Sequence, residues 1–190
     1  KGHKVTILTS RFNRELPREE TVDGVKVVRV PVLFRISKGV IMPTFGWLAW
    51  KYVREADVLS LHLPQFDAAG VAFRGRLLKK PTVLTYHCDL QLPSGVFNTI
   101  VNKVVLMMND LAGKSSHQVV AYTEDFANHS PFLQRYADKR TVIPPPVELP
   151  DMTPSGIAAF KRMHNPEGKG PIIGMATRMA AEKGVEVLLD

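Results

Sequence analysis

The chain has 190 residues, 45% hydrophobic and 23% charged, which excludes a disordered segment and leaves room for one ordinary domain and the start of another. Lys and Arg outnumber Asp and Glu by 25 to 18, a formal charge of +7 that favours acidic partners without choosing among phosphorylated small molecules, anionic lipid and nucleic acid. No apolar run approaches the roughly 20 residues of a membrane span and no signal peptide opens the sequence, while the single cysteine, Cys88, rules out an internal disulfide framework; a reducing, cytoplasmic setting is the expectation.

In chain order, Gly2 beside Lys1 is the residue type that follows a helix C-terminus, so the sequence reads as starting just past a helix. Strand-like runs follow at 4–9, 25–30 (VKVVRV), 57–62 (DVLSLH), 82–86 (TVLTY), 118–121 (QVVA) and 141–143 (TVI). Segments of helical length lie between several of them, at 67–79, 96–113 and 124–137. Strands that read as buried on both faces, alternating with helices, predict an α/β fold with a doubly wound parallel sheet, Rossmann-like. Basic residues come singly or in pairs, as in Arg74/Arg76, Lys79/Lys80 and Lys139/Arg140, without the blocks of a nucleic-acid tail; nucleic acid is not an expected partner.

The pattern changes at "VIPPPVELPDMTPSG", whose five prolines no helix or sheet interior would accept. This linker divides the chain into a domain over 1–146 and a second region over 147–190. Thr153 before Pro154 is an N-cap followed by a first helical position, predicting a helix over 154–164. Pro171 to Ala176 reads as a short buried strand, and Val185, Leu188 and Leu189 mark one face of a following helix. Between them Arg178 and Lys183 fall where a helix start presents unpaired N–H groups, which suits either a phosphate site or an ordinary solvated loop.

Two apolar stretches stand out, "GVIMPTFGWLAWKYV" (39–53) and "GVFNTIVNKVVLMMNDL" (95–111). In the second, Phe97, Ile100, Val101, Val104, Met108 and Leu111 form a helical stripe that Val105, Leu106 and Met107 widen. Core and cleft wall is the expectation; the alternative is a surface that lies on a membrane, with Trp47 and Trp50 as anchors. His87 follows a predicted parallel strand, at the edge where open α/β sheets place ligands, although a lone histidine there is more often a turn or core residue. Asp89, His62, Gln65 and Asp67 belong to the same edge and suit acceptor hydroxyls, with Asp67 equally placed to cap the next helix.

Taken in order, "GHKVTILTSR", "ADVLSLHLP", "PTVLTYHCDL", "VVAYTEDFANHSPFL", "TVIPPPVEL" and "GMATRMAAEKGVEVLL" resemble the group-1 glycosyltransferases, retaining enzymes built from two Rossmann-like domains. The resemblance implies transfer of a sugar from a nucleotide-sugar donor to a sugar or lipid-linked acceptor, with no cofactor. It makes His87 the active-site histidine and matches Arg178 and Lys183 to the cations that hold the donor diphosphate. The glycine usual before that arginine is absent, since Ala176 and Thr177 precede Arg178. No Asp-x-Asp pair occurs, so no metal is expected in that role, and the family's paired glutamates are not found.

By resemblance, residues 1–146 are the acceptor-side domain without its first βα unit and 147–190 the first βα step of the donor domain, a fragment expected to be inactive alone. Lipid-linked acceptors in the family add peripheral attachment at the inner membrane face as an expectation. The competing class is a basic, non-catalytic binding module sharing the fold, for an anionic membrane surface or nucleic acid.

Overall fold

The computed structural model describes residues 2–36, 39–90, 95–148, 150–177 and 183–189. Contacts divide the chain into two units, Lys1–Pro145 and Pro146–Asp190.

The first unit is α/β. Its main sheet is parallel throughout, in the order β6 (Leu59–Leu63), β7 (Thr82–Tyr86), β8 (Gln118–Ala121), β9 (Arg140–Val142). β6 alternates, with Leu59, Leu61 and Leu63 buried and Ser60 and His62 exposed, so one face of this edge strand is covered and the other is open. Helices α2 (Ala68–Leu77) and α3 (Val96–Ser115) connect β6 to β7 and β7 to β8. Because parallel crossovers are right-handed and these two step in the same direction, both helices lie on one face of the sheet.

Small residues set how closely α2 approaches. Ala68, Ala69, Ala72 and Gly75 are its buried positions, and a methyl group at Gly75 would stand 2.6 Å from Thr82 Oγ1 and 2.7 Å from Leu59 Cδ1. Leu61, Leu63, Leu84, Tyr86, Val119 and Leu133 form the main core beneath these helices. A second core joins Val30, Phe45 and Ala49, with Leu8 and Met42 packed against it, and half-buried Val71 on α2 borders both.

The predicted strands at 4–9 and 25–30 form, but in a separate sheet. β1 (Thr6–Arg11) pairs in parallel with β3 (Val25–Pro31), whose other edge takes β2 (Glu19–Val22) antiparallel. The turn between β2 and β3 puts Asp23 and Gly24 at positive φ, a two-residue hairpin. A short hairpin, β4 (Phe34–Ile36) with β5 (Gly39–Ile41), leads to α1 (Phe45–Glu55), a helix that begins within the apolar stretch 39–53.

The single helix expected over 124–137 is two, α4 (Glu124–His129) and α5 (Pro131–Gln134). Ser130, extended at ψ 122°, ends the first because α geometry is disfavoured before a proline, and its hydroxyl then caps the second.

The apolar stripe expected to be core along α3 also divides. Met108 and Ala112 pack inward, whereas Phe97, Ile100, Val104 and Leu111 are exposed. Twenty residues of helix span about 30 Å against about 17 Å for the five-residue β7, so α3 outruns the sheet that would cover it.

In the second unit α6 (Pro154–His164) forms as expected, with Thr153 Oγ1 accepting from Gly156 N. The strand expected at 171–176 does not. Ile172, Ile173 and Met175 are exposed, and no described residue pairs with the run, so nothing satisfies a ladder of backbone groups there. α7 (Val185–Leu189) follows, five residues long. Among the described residues no helix is long and apolar enough to cross a membrane.

Candidate functional site

Three neighbouring parallel strands deliver aromatic side chains to one edge of the sheet. His62 is the next-to-last residue of β6, His87 follows the last residue of β7, and Tyr122 follows the last residue of β8. The backbone ladder continues one step past β7, with His87 N–H donating to Leu63 O at 2.9 Å, and this fixes the histidine against β6. His62 Nδ1 and His87 Nε2 are then 2.9 Å apart, with the rings stacked at 5.1 Å between centroids and 23° between planes. Tyr122 meets the His87 ring edge-on, at 5.1 Å and 66°.

A 2.9 Å approach of two ring nitrogens needs one proton between them, so one must donate and the other accept. Burial, and secondarily the neighbouring His62, hold the His87 pKa below the usual histidine value. His87 is therefore a neutral imidazole at neutral pH. Its Nδ1, without a partner among the described residues, is the nitrogen left for a ligand. If His62 donates across the pair, His87 carries its own proton on Nδ1 and is a donor to that ligand. If His62 accepts, His87 presents a lone pair. His62 thus sets the hydrogen-bonding sense of His87 as well as its orientation.

The loop carrying His87 is anchored from behind by Asp89. One carboxylate oxygen accepts from Tyr86 Oη at 3.0 Å and from Ser130 Oγ at 2.9 Å. Both hydroxyls belong to buried residues, and Tyr86 is stacked on Phe132 at 4.1 Å between centroids. Burial first, then the Asp89 charge, push the Tyr86 phenol well above its ordinary pKa, so it stays a donor. On the β6 side, Gln65 N–H donates to Oδ1 of buried Asn109 on α3 at 3.4 Å. Asn109 Nδ2 has no partner among the described residues. Asp67 occupies the N-cap position of α2 but makes no capping bond with its side chain, and burial raises its pKa.

Of the residues singled out in the sequence, the structure brings His62 and His87 into direct contact and places Gln65 and Asp67 on the loop after β6. Asp89 is at the same edge with one oxygen already engaged. Lys183 is exposed just before α7 in the second unit, and Arg178 lies outside the described residues. Tyr122, Asn109 and Ser130 were missed. Tyr122 in "VVAYTED" follows its strand as His87 does, and the same rule would have found it. Nothing in the sequence marks Asn109 or Ser130 as partners of loops 44 and 41 residues away. Among the described residues no cluster of three or more His, Cys, Asp or Glu could hold a metal ion.

No curated protein matches the sequence. The family model of the glycosyl transferase 4-like domain does, over residues 1–146. That span takes in β1 to β9 and the His62–His87–Tyr122 edge. A parallel sheet with helical crossovers and paired histidines at its carboxyl edge is thus matched over more than half the chain, and the protein belongs to the glycosyl transferase 4-like domain family.

Proposed function

We propose that the protein takes part in retaining glycosyl transfer from a nucleotide sugar to an acceptor hydroxyl, with the carboxyl edge of β6, β7 and β8 as the reaction edge. The observation that carries the reading is the His62–His87 contact on adjacent strand ends within the family-matched span. His87 orients the donor sugar through Nδ1 and lines the reacting centre without acting as a base. His62 and Tyr122 hold its ring. Gln65 and Asp67 offer polar groups to the acceptor, and Asp89 works through the loop that it ties down.

In the transfer, the bond from the anomeric carbon to the diphosphate breaks, the acceptor oxygen bonds to the same carbon, and the acceptor proton leaves with the diphosphate. Negative charge grows on the departing group. Arg178 and Lys183 are the cations proposed to meet it, and such contacts accelerate transfer because they strengthen in the transition state. Their assignment rests on the sequence pattern around them.

The test is release of nucleoside diphosphate from a panel of nucleotide sugars by a chain that carries both domains, and by its His87→Ala and Lys183→Ala variants. Rates about 10²–10³ lower in both variants, with unchanged thermal melting, are expected. Wild-type rates in His87→Ala would remove the reaction edge from the proposal.

A further inference from the structure

Three helices of the first unit expose faces that water alone does not explain. On α1, Phe45, Ala49 and Val53 are buried, and Trp47, Trp50, Lys51 and Arg54 fall on the opposite side, with Trp47 73% exposed. Together with Glu55 these four line an open groove of about 510 Å³. α2 exposes Phe73 and Leu77 one turn apart, beside Arg76. On α3, Val96, Phe97, Ile100, Val104, Met107 and Leu111 are all exposed and lie within an arc of about 100° of the helix. α1 and α3 both pack on α2, so the three helices adjoin one another.

We infer that these helices form a docking surface for an anionic lipid bilayer. Charge selects the occupant. Lys51, Arg54, Arg76 and Lys103 are exposed on these helices, and none is in an ion pair among the described residues. The only acids on the three helices are Glu55 and Asp110, and Asp110 is held by Lys114 and Arg135. A second copy docked through the same face would set cation against cation, since a two-fold interface pairs like patches. An anionic headgroup layer offers the opposite sign, and tryptophans flanked by Lys and Arg match its polar-to-apolar boundary.

The surface also bears on the reaction edge. His117 N–H donates to Thr82 O, which puts the end of α3 at the amino end of β7. The start of α3, with Val96, Phe97 and Ile100, therefore lies toward the carboxyl end that carries His87. A docked bilayer meets the protein on the side from which a lipid-borne acceptor would arrive. That choice of acceptor rests on the proposed transferase function, whereas docking itself does not.

Vesicle flotation without donor or acceptor tests docking alone. The probes are neutral phosphatidylcholine vesicles and the same vesicles with phosphatidylglycerol, at low and at 1 M salt, where screening shrinks to about 3 Å. The protein is expected to float with the anionic vesicles and to be released by salt. Lys51→Glu with Arg54→Glu lowers binding by at least about 25-fold, at about fivefold per cation lost. Trp47→Ala with Trp50→Ala, and separately Ile100→Gln with Met107→Gln, lower it by about tenfold or more, as loss of about 60 Å² of buried apolar area requires. Lys51→Glu with Arg54→Glu is expected to melt as the wild type does, and the other two double variants are checked by circular dichroism to be folded under the flotation conditions, since Trp50 is only 36% exposed. No flotation of the wild type at low salt overturns the inference, and so does binding that all three variants retain. A dimer in sedimentation velocity that Ile100→Gln with Met107→Gln dissolves would replace the bilayer with a second copy. Flotation with no sugar transfer by a chain that carries both domains would leave docking standing and count against the transferase reading.

Discussion

Replacing Asp89 by Ala separates a residue that holds the site from one that touches substrate. The carboxylate oxygen takes protons from two hydroxyls, Tyr86 Oη at 3.0 Å and Ser130 Oγ at 2.9 Å, and both residues are buried. A buried hydroxyl that loses its partner costs about 1–3 kcal/mol. Ser130 keeps the bond that its oxygen accepts from Leu133 N at the start of α5, while its O–H loses its acceptor. Tyr86 is stacked between aromatic rings and has no second acceptor among the described residues. The expected loss is about 2–4 kcal/mol, or roughly 6–12 °C of melting temperature for a unit of this size. Circular-dichroism melts of Asp89→Ala, Tyr86→Phe and the double variant measure it. Tyr86→Phe removes the stranded hydroxyl, so Asp89→Ala costs less in that background, with a coupling of about 1–2 kcal/mol. A melt of Asp89→Ala within about 1 °C of wild type, or equal costs in both backgrounds, would refute the anchoring role.

Gly113→Ala puts a methyl group 2.5 Å from Tyr136 Cζ and 2.8 Å from its Oη, which donates to Asp110 O and Oδ1. The buried ring must move, and the net loss of about 1–3 kcal/mol, after the gain in helix propensity, is read by urea unfolding. His87 has its folded pKa lowered, so above the ordinary value of 6.5 folded and unfolded states are equally unprotonated. As pH falls below 6.5 the unfolded chain takes the proton first; stability and turnover should both decline there, and stability in His87→Asn should not. His62→Gln removes the neighbouring charge and leaves the burial, so the acid limb of the pH–rate profile moves to higher pH; a limb that stays put would contradict the pairing.

Local pattern made much of this fold readable. "TVLTY" and "QVVA" are strands over the residues expected, and Thr153-Pro154 starts a helix where its capping chemistry puts it. Such signals are written in adjacent residues. The partition of strands between two sheets is not, because β1 and β6 differ in what pairs beside them rather than in their own sequence. The run at 171–176 has strand composition without a strand partner, and the apolar stripe of α3 has core composition without a sheet beneath its first half. Composition states what a segment can bury, and only the fold states whether anything covers it. The site divides in the same way. His87 could be read from its position after a strand, whereas its contact with His62 depends on the register of β6 against β7, which pairs His62 with Thr85 and Leu63 with Tyr86. Asn109 is buried because α2 and α3 pack together, a long-range fact with no local trace.

Donor sugar bound at the His62–His87–Tyr122 edge would be felt by the histidines themselves. Histidine-selective ¹⁵N labelling with NMR detection, titrated with nucleotide sugars, tests it without requiring turnover. One donor is expected to shift the His87 Nδ1 resonance in a saturable way and to change the proton sharing with His62, and His62→Gln is expected to weaken the response. Saturable donor binding that leaves the His87 and His62 resonances unmoved would contradict it.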